Sequence, residues 1–240
     1  MNAIETKGLT KKYGELTAVN ALDLTVAEGE LFALLGVNGA GKTTTIKLLS
    51  TLLRPTGGTA KLFGRDLVKQ AQEIKPLLAV SPQETAVASK LTVRENLELM
   101  AGIYGFSDQK EKAAAVMEEF GLQEVAGKRA KQLSGGWQRR LSIAMALISE
   151  PKLLFLDEPT LGLDVLARRE LWHEISRIKG KITIVLTTHY MEEAEQLSDR
   201  VGVMADGKLR ICDTPDALKK AAGTDNFEEA FVRLAGGEVQ

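Results

Sequence analysis

Nine consecutive residues carry the most specific chemistry in the chain: Gly36, Val37, Asn38, Gly39, Ala40, Gly41, Lys42, Thr43 and Thr44. The first eight fit the pattern G-x-x-x-x-G-K-S/T. Its glycines let backbone N–H groups turn inward around phosphates, and a helix starting there adds its dipole. In that geometry Lys42 reaches the β- and γ-phosphates and the Thr43 hydroxyl ligates Mg²⁺. The bland alternative is a glycine-rich strand-to-helix turn, but the apolar run Leu31–Leu35 in front favours the phosphate loop. A second pair, Asp157-Glu158, ends the run Leu153–Leu156. Such a pair can divide two tasks, Asp157 in the Mg²⁺ shell and Glu158 polarising an attacking water. Nothing resembles a dedicated acceptor pocket, so water is the expected nucleophile. His189 follows a third run, Ile182–Leu186, and two threonines, a position suited to a γ-phosphate contact. The other histidine, His173, falls on the polar side of a helix and receives no role. Finally, Ser134, Gly135 and Gly136 precede a helix read over Trp137–Ser149. Ser134 reads as an N-cap, and the glycine-bearing helix start is a second anion site. One chain thus offers two halves of a phosphate clamp.

These residues need a scaffold, and the apolar pattern supplies one. Leu31–Leu35, Leu77–Val80, Leu153–Leu156 and Ile182–Leu186 are continuous runs without alternation, as expected of strands covered on both faces of a mainly parallel sheet. Ligands bind beyond the carboxyl ends of such strands, and each run here ends in polar residues. Ile4–Leu9 and Ala18–Val26 partly alternate and read as antiparallel strands. Residues 86–150 look helical: Thr92 and Glu95 have capping-box spacing, Val93, Leu97, Met100, Ala101 and Tyr104 share one face, and Ser107–Phe120 precedes the stop signal Gly121. After His189, Glu192-Glu193 opens a short helix. Arg200–Met204 and Lys208–Cys212 form a hairpin across Asp206-Gly207. Thr214-Pro215 caps one further helix, and Asn226 with Glu229 caps the last, closed by Gly236-Gly237.

Composition narrows the class. The 240 residues suit one large domain or two small ones, and 44% hydrophobic residues exclude disorder. Basic and acidic residues number 31 and 32, a net charge of −1, which gives no reason to expect nucleic-acid binding. One cysteine, Cys212, allows no intrachain disulfide and favours a reducing compartment. It reads as a small buried hydrophobe. The start, MNAIETKG, lacks the apolar core of a signal peptide, and no run approaches the roughly 20 residues that span a bilayer. A membrane role would come through a partner. The basic pairs Arg139-Arg140 and Lys128–Lys131 read as solvated helix faces.

Taken together, these motifs resemble the ATP-binding cassette (ABC) ATPase family. GVNGAGKTT is similar to its Walker A, KLLFLDEP to its Walker B with catalytic Glu158, and LSGGWQ to its signature. Gln83 resembles the Q-loop glutamine, Asp164 in PTLGLD the D-loop aspartate, His189 the switch histidine, and Tyr13 in KKYG the aromatic that stacks on adenine. The resemblance implies an α/β fold: a P-loop core with a mainly parallel sheet, an antiparallel β N-terminal part and an inserted helical subdomain. It divides a single domain, 1–240, into a core of 1–85 and 151–213, helices at 86–150 carrying the signature, and C-terminal helices at 214–240. It implies ATP and Mg²⁺ as ligands, with Gly36, Asn38–Thr44 and Tyr13 binding nucleotide and Thr43, Gln83 and Asp157 the metal. Two chains are expected to pair head to tail, Ser134, Gly135, Gly136 and Asp164 of one completing the site of the other.

The groove near 84–105 would receive an integral membrane permease, with the chain peripheral on the cytoplasmic face of the membrane. LTVRENLELMAGIYG, LDVLARRELW and HYMEEAEQLSDRV look most like the bacterial branch that exports drugs and natural products. A soluble ABC ATPase and a nucleotide-gated assembly module are the alternatives. A single cassette with a short insert weighs against the first, and the presence of both Glu158 and His189 against the second. Trp137 departs from the family pattern, standing where the signature usually has Gln, with Gln138 one position on.

Overall fold

The computed structural model describes residues 1–236 of the chain. Among the described residues, ten strands form two sheets. In chain order they are β1 (Asn2–Tyr13), β2 (Leu16–Ala27), β3 (Leu31–Leu35), β4 (Gly57–Leu62), β5 (Arg65–Asp66), β6 (Leu78–Ser81), β7 (Leu153–Asp157), β8 (Thr183–Thr188), β9 (Arg200–Ala205) and β10 (Lys208–Asp213). The helices are α1 (Lys42–Leu49), α2 (Ala71–Ile74), α3 (Val93–Ile103), α4 (Gln109–Glu119), α5 (Gly135–Leu147), α6 (Val165–Ile178), α7 (Met191–Leu197), α8 (Pro215–Ala222) and α9 (Phe227–Leu234).

The six-stranded sheet has the order β10-β9-β3-β8-β7-β6, parallel except for the β9–β10 hairpin. Every residue of β3, β7 and β8 is buried, as the unbroken apolar runs required. Alternate residues feed two cores. Leu31, Ala33 and Leu35 face the core shared with the helical insert and the C-terminal helices. Phe32 and Leu34 face a second core built with α1 and the smaller sheet. Each buried leucine or phenylalanine contributes about 1.5–3 kcal/mol, so the sheet is fixed from both sides.

Register then decides the chemistry. Leu35 pairs with Thr188 and Asp157 with Thr187, which brings the carboxyl ends of β3, β8 and β7 to one edge. The start of the phosphate loop, His189 and Glu158 therefore emerge side by side. The architecture, a mainly parallel core sheet, an antiparallel N-terminal sheet and an inserted helical part, is the one the resemblance implied.

Other expectations differ in detail. β1 and β2 run past Ile4–Leu9 and Ala18–Val26, because the hairpin stays paired to Tyr13↔Leu16 with bulges along the way. β4, in the glycine-rich GGTAKL, gives no strand signal in sequence; pairing along β1 makes it one. The insert begins as expected, with Thr92 accepting from the Glu95 amide while its own amide donates to the Glu95 carboxylate. α5 starts two residues earlier than Trp137, at Gly135. Thr214 caps α8 and Asn226 caps α9. Of the closing pair, Gly236 is left-handed; Gly237 and residues 238–240 lie outside the described residues.

Candidate active site

The phosphate loop leaves β3 at Leu35 and enters α1 at Lys42. Gly41 has φ +101°, and a Cβ there would strike the Ala18 carbonyl on the β2 hairpin. A Cβ at Gly36 would strike the Met204 carbonyl on β9. The loop is thus pinned between two hairpins, and Gly207 on the β9–β10 turn donates to the Ala40 carbonyl at 3.1 Å. Side chains at either glycine would dismantle the curve that aims the loop amides.

Lys42 is only 5% exposed. Its Nζ donates to the carbonyl of Gly36 at 2.7 Å and pairs with Glu158 Oε1 at 3.1 Å. The other Glu158 oxygen, Oε2, lies 2.6 Å from His189 Nδ1. One buried carboxylate therefore links the phosphate-loop lysine to the end of β8. Glu158 holds this place at a backbone cost, with φ +48°. Left-handed geometry in a residue with a side chain costs on the order of 1–3 kcal/mol and persists only where the surroundings impose it. Here its amide donates to both the carbonyl and the hydroxyl of Thr187.

Beside it, Asp157 Oδ1 accepts from Thr43 Oγ1 at 3.1 Å and from Thr187 Oγ1 at 2.6 Å. Thr43, Asp157 and the nearby Gln83 are hard oxygen donors with a single carboxylate among them. Mg²⁺ is commonly held by such a set, using one or two carboxylates together with substrate phosphates, so these residues fit that ion.

A cleft of about 780 Å³ opens over these groups. It is walled by Tyr13, the loop from Asn38 to Thr44, Gln83, Glu158 and His189. Tyr13 is 46% exposed, presenting its ring at the cleft mouth, with Lys11 Nζ 5.1 Å from the ring centre. Thr17, Ala18, Asp206 and Gly207 also line the cleft and carry no motif; only the folding of the two hairpins onto the loop brings them there.

Six expected residues do not line this chain's cleft: Gly36 and Asp157, which bond to the lining residues Lys42 and Thr43 from behind, and Ser134, Gly135, Gly136 and Asp164. Ser134 occupies the N-cap position of α5, but its hydroxyl makes no capping bond. A Cβ on Gly136 would press on Ala167 at 3.0 Å, so the signature packs against the start of α6, where Asp164 accepts from the Ala167 amide. Trp137 is partly buried under the Arg140 guanidinium, 4.7 Å from its ring. Gln138 donates its amide to the carbonyls of Ala130 and Leu133.

The solvated-face reading of Arg139-Arg140 is wrong. Arg139 is 3% and Arg140 9% exposed. Arg140 pairs with Glu170 at 2.7 Å. Arg139 is held by four backbone carbonyls, those of Pro82, Asp157, Glu158 and Pro159, and burial pulls its pKa below the usual arginine value. The signal was present: the nearly all-apolar run Leu141–Ile148 marks a helix buried all round, with no face left for solvent. Lys128 and Lys131 are exposed as read. Glu193 was also hidden from sequence. It is fully buried, accepts from Trp172 Nε1 at 3.0 Å, and burial raises its pKa despite that bond. His173 is on the surface near Glu174. Cys212 is half-buried, and burial raises its thiol pKa.

Comparison with known proteins identifies the family. The sequence pattern of the family described as "ABC transporter" matches residues 19–161. The daunorubicin resistance ATP-binding protein DrrA3 of Streptomyces coeruleorubidus is 42% identical over 237 residues, covering 98% of this chain and 75% of that protein. The probable multidrug ABC transporter ATP-binding protein YbhF of Escherichia coli (strain K12) is 41% identical over 239 residues; the match takes in 96% of this chain but only 41% of YbhF. Among solved structures, the ATP-binding subunit of an ABC transporter superposes with a TM-score of 0.83 at 30% identity, over 97% of this chain and 99% of that one. A dimeric cassette in a post-hydrolysis state bound to ADP and Pi gives 0.77 at 25% identity, over 88% and 98%. With a pinned phosphate loop, a buried carboxylate joining its lysine to a strand-end histidine, and relatives of this kind across nearly its whole length, the chain belongs to the ABC transporter family as an ATP-binding cassette.

Proposed function

We propose that the protein is the ATP-hydrolysing subunit of an exporter, working as a pair of cassettes on membrane permease subunits at the cytoplasmic face of the membrane. The observation that carries this reading is the Lys42–Glu158–His189 chain of contacts. It sets a phosphate-binding cation, a base for water and a γ-phosphate contact within one cleft. Glu158 takes the proton of the attacking water as oxygen bonds to the γ-phosphorus, while the bond from that phosphorus to the β–γ bridging oxygen breaks and ADP leaves. Lys42, the loop amides and His189 hold the charge on the transferred phosphoryl group. Thr43, Gln83 and Asp157 hold Mg²⁺, which supplies neutralisation of the β- and γ-phosphate charge. Tyr13 stacks on the base.

Ser134, Gly135, Gly136 and Asp164 act across the pair, on the nucleotide of the partner chain. That none of them lines this chain's own cleft supports the assignment. Residues 86–150 then form a helical unit on the core of 1–85 and 151–213, with residues 214–240 appended, and Gln83 at its root connects the site to the permease groove near 84–105. The names of the relatives, multidrug and daunorubicin resistance, support a drug or natural product as cargo. Among the described residues no helix is long and apolar enough to cross a membrane, so on this reading the permease provides the path.

Light scattering on Glu158→Gln tests the scheme, because binding survives while turnover stops. A mass that doubles only with Mg-ATP is the expected result. A mass indifferent to Mg-ATP would sink the paired clamp, and a parent chain releasing no phosphate would sink the enzyme.

A further inference from the structure

We infer that Arg139 is a positioning residue: its buried guanidinium ties the signature helix to the backbone of both the Glu158 turn and the Gln83 loop, so that all three move as one body. Nε donates to the Pro159 carbonyl at 2.6 Å and Nη1 to the Pro82 carbonyl at 2.6 Å. Nη2 donates to the carbonyls of Asp157 and Glu158 at 3.1 and 2.7 Å. All three nitrogens are used, and every one of these bonds goes to main chain. Three of the acceptors are consecutive residues around the left-handed Glu158, and the fourth precedes Gln83.

A cation at 3% exposure costs far more than an apolar side chain unless its hydrogen bonds repay desolvation. Packing alone therefore gives no reason for arginine. The fork does give one, because its donors diverge in a plane and reach two separate loops at once. The ammonium of a lysine is a single point and cannot span them. Arg139 also sits one turn after Gly135 on α5, a rigid element at 1.5 Å rise per residue. A force on Ser134–Gly136 is thereby delivered to the backbone of Glu158 in the same chain. In a pair of cassettes, engagement of the signature by the partner's nucleotide would set the base of the opposite site.

The catalytic arm of the test rests on the ATPase reading above; the exchange arm does not. In the full chain, Arg139→Lys keeps charge and stem but loses the fork. Its kcat is expected to fall about 100-fold, the scale of a 1 Å misplacement, with KM for ATP within about twofold. Amide exchange should rise together in peptides spanning 81–85 and 156–161, while residues 36–44 keep the parent's protection. Guanidinium ion should restore part of the turnover of Arg139→Ala, which a packing defect would not allow. The inference fails if Arg139→Lys keeps parent exchange in both loops, or if exchange rises evenly across the chain. It fails too if kcat and KM worsen in step. If the parent itself releases no phosphate, the ATPase reading falls and the exchange pattern alone decides this inference.

Discussion

Two helices of this chain begin at glycine-bearing loops, and they begin in opposite surroundings. At α1 the loop is walled by its own chain: the place of a Gly41 Cβ is taken by the Ala18 carbonyl, Lys42 is 5% exposed, and the Asp157 and Glu158 side chains close around it. At α5 the loop is open. Ser134 and Gly135 are exposed, the Ser134 hydroxyl caps nothing, and the nearest atom to a Gly135 Cβ is Leu163 Cδ2 at 3.7 Å. Equal helix dipoles thus serve different ends. The first start is finished by intramolecular packing, whereas the second presents its amides outward, where a second chain can use them.

The most severe way to break this contrast is to block the open end. Ser134→Arg should lower steady-state turnover about 10²–10³-fold, the scale of removing one oxyanion donor, while nucleotide affinity of the single chain stays unchanged. Phosphate release and equilibrium titration with a fluorescent nucleotide measure the two. Equal loss in both would mean that Ser134 serves its own cleft after all.

The glycines sharpen it next. Gly41→Ala combines a left-handed backbone with a steric clash and should destabilise folding by about 2–4 kcal/mol. Gly135→Ala meets neither and should stay within about 0.5 kcal/mol of the parent. Urea denaturation of both variants compares them directly; a Gly135→Ala loss as large as that of Gly41→Ala would erase the distinction.

A third helix start gives the smallest effect. Glu193, in the first turn of α7, reads in sequence only as part of an acidic helix start, yet it is fully buried with a raised pKa. A carboxyl raised on folding adds stability that is fully present below its unfolded value, about 4.3. That stability is lost as pH climbs through the folded value. Glu193→Gln removes the titration but keeps an acceptor for Trp172. Relative to the parent it should gain stability as pH rises above that unfolded value, on the order of 1 kcal/mol. A difference that does not change with pH would show that Glu193 is ionised in the fold.

Much of the site was legible because its chemistry depends on consecutive residues. The phosphate loop needs its glycines and lysine at fixed spacing, and Asp157-Glu158 needs only the end of a buried strand. The capping box at Thr92 and Glu95 is equally local. Arg139 was misread because two adjacent arginines look the same on a solvated face and in a buried lock. Thr187, which positions both Asp157 and Glu158, was passed over as an ordinary strand residue. Thr17 and Asp206 come from hairpins about 190 residues apart in the chain, a convergence no local pattern encodes.

Sequence by itself determined the elements and the chemical inventory: unbroken apolar runs fix buried parallel strands, and a spaced set of glycines, a lysine and a threonine fixes a phosphate loop. Tertiary structure decided which groups meet. Register aligned Asp157 with Thr187 and Leu35 with Thr188, setting His189 2.6 Å from Glu158, and the closure of α5 onto the sheet turned Arg139 inward. The physical reason is range. Helix and strand formation and loop curvature follow from neighbours a few residues away, whereas burial and hydrogen-bond partnership depend on which surfaces the packed core presses together.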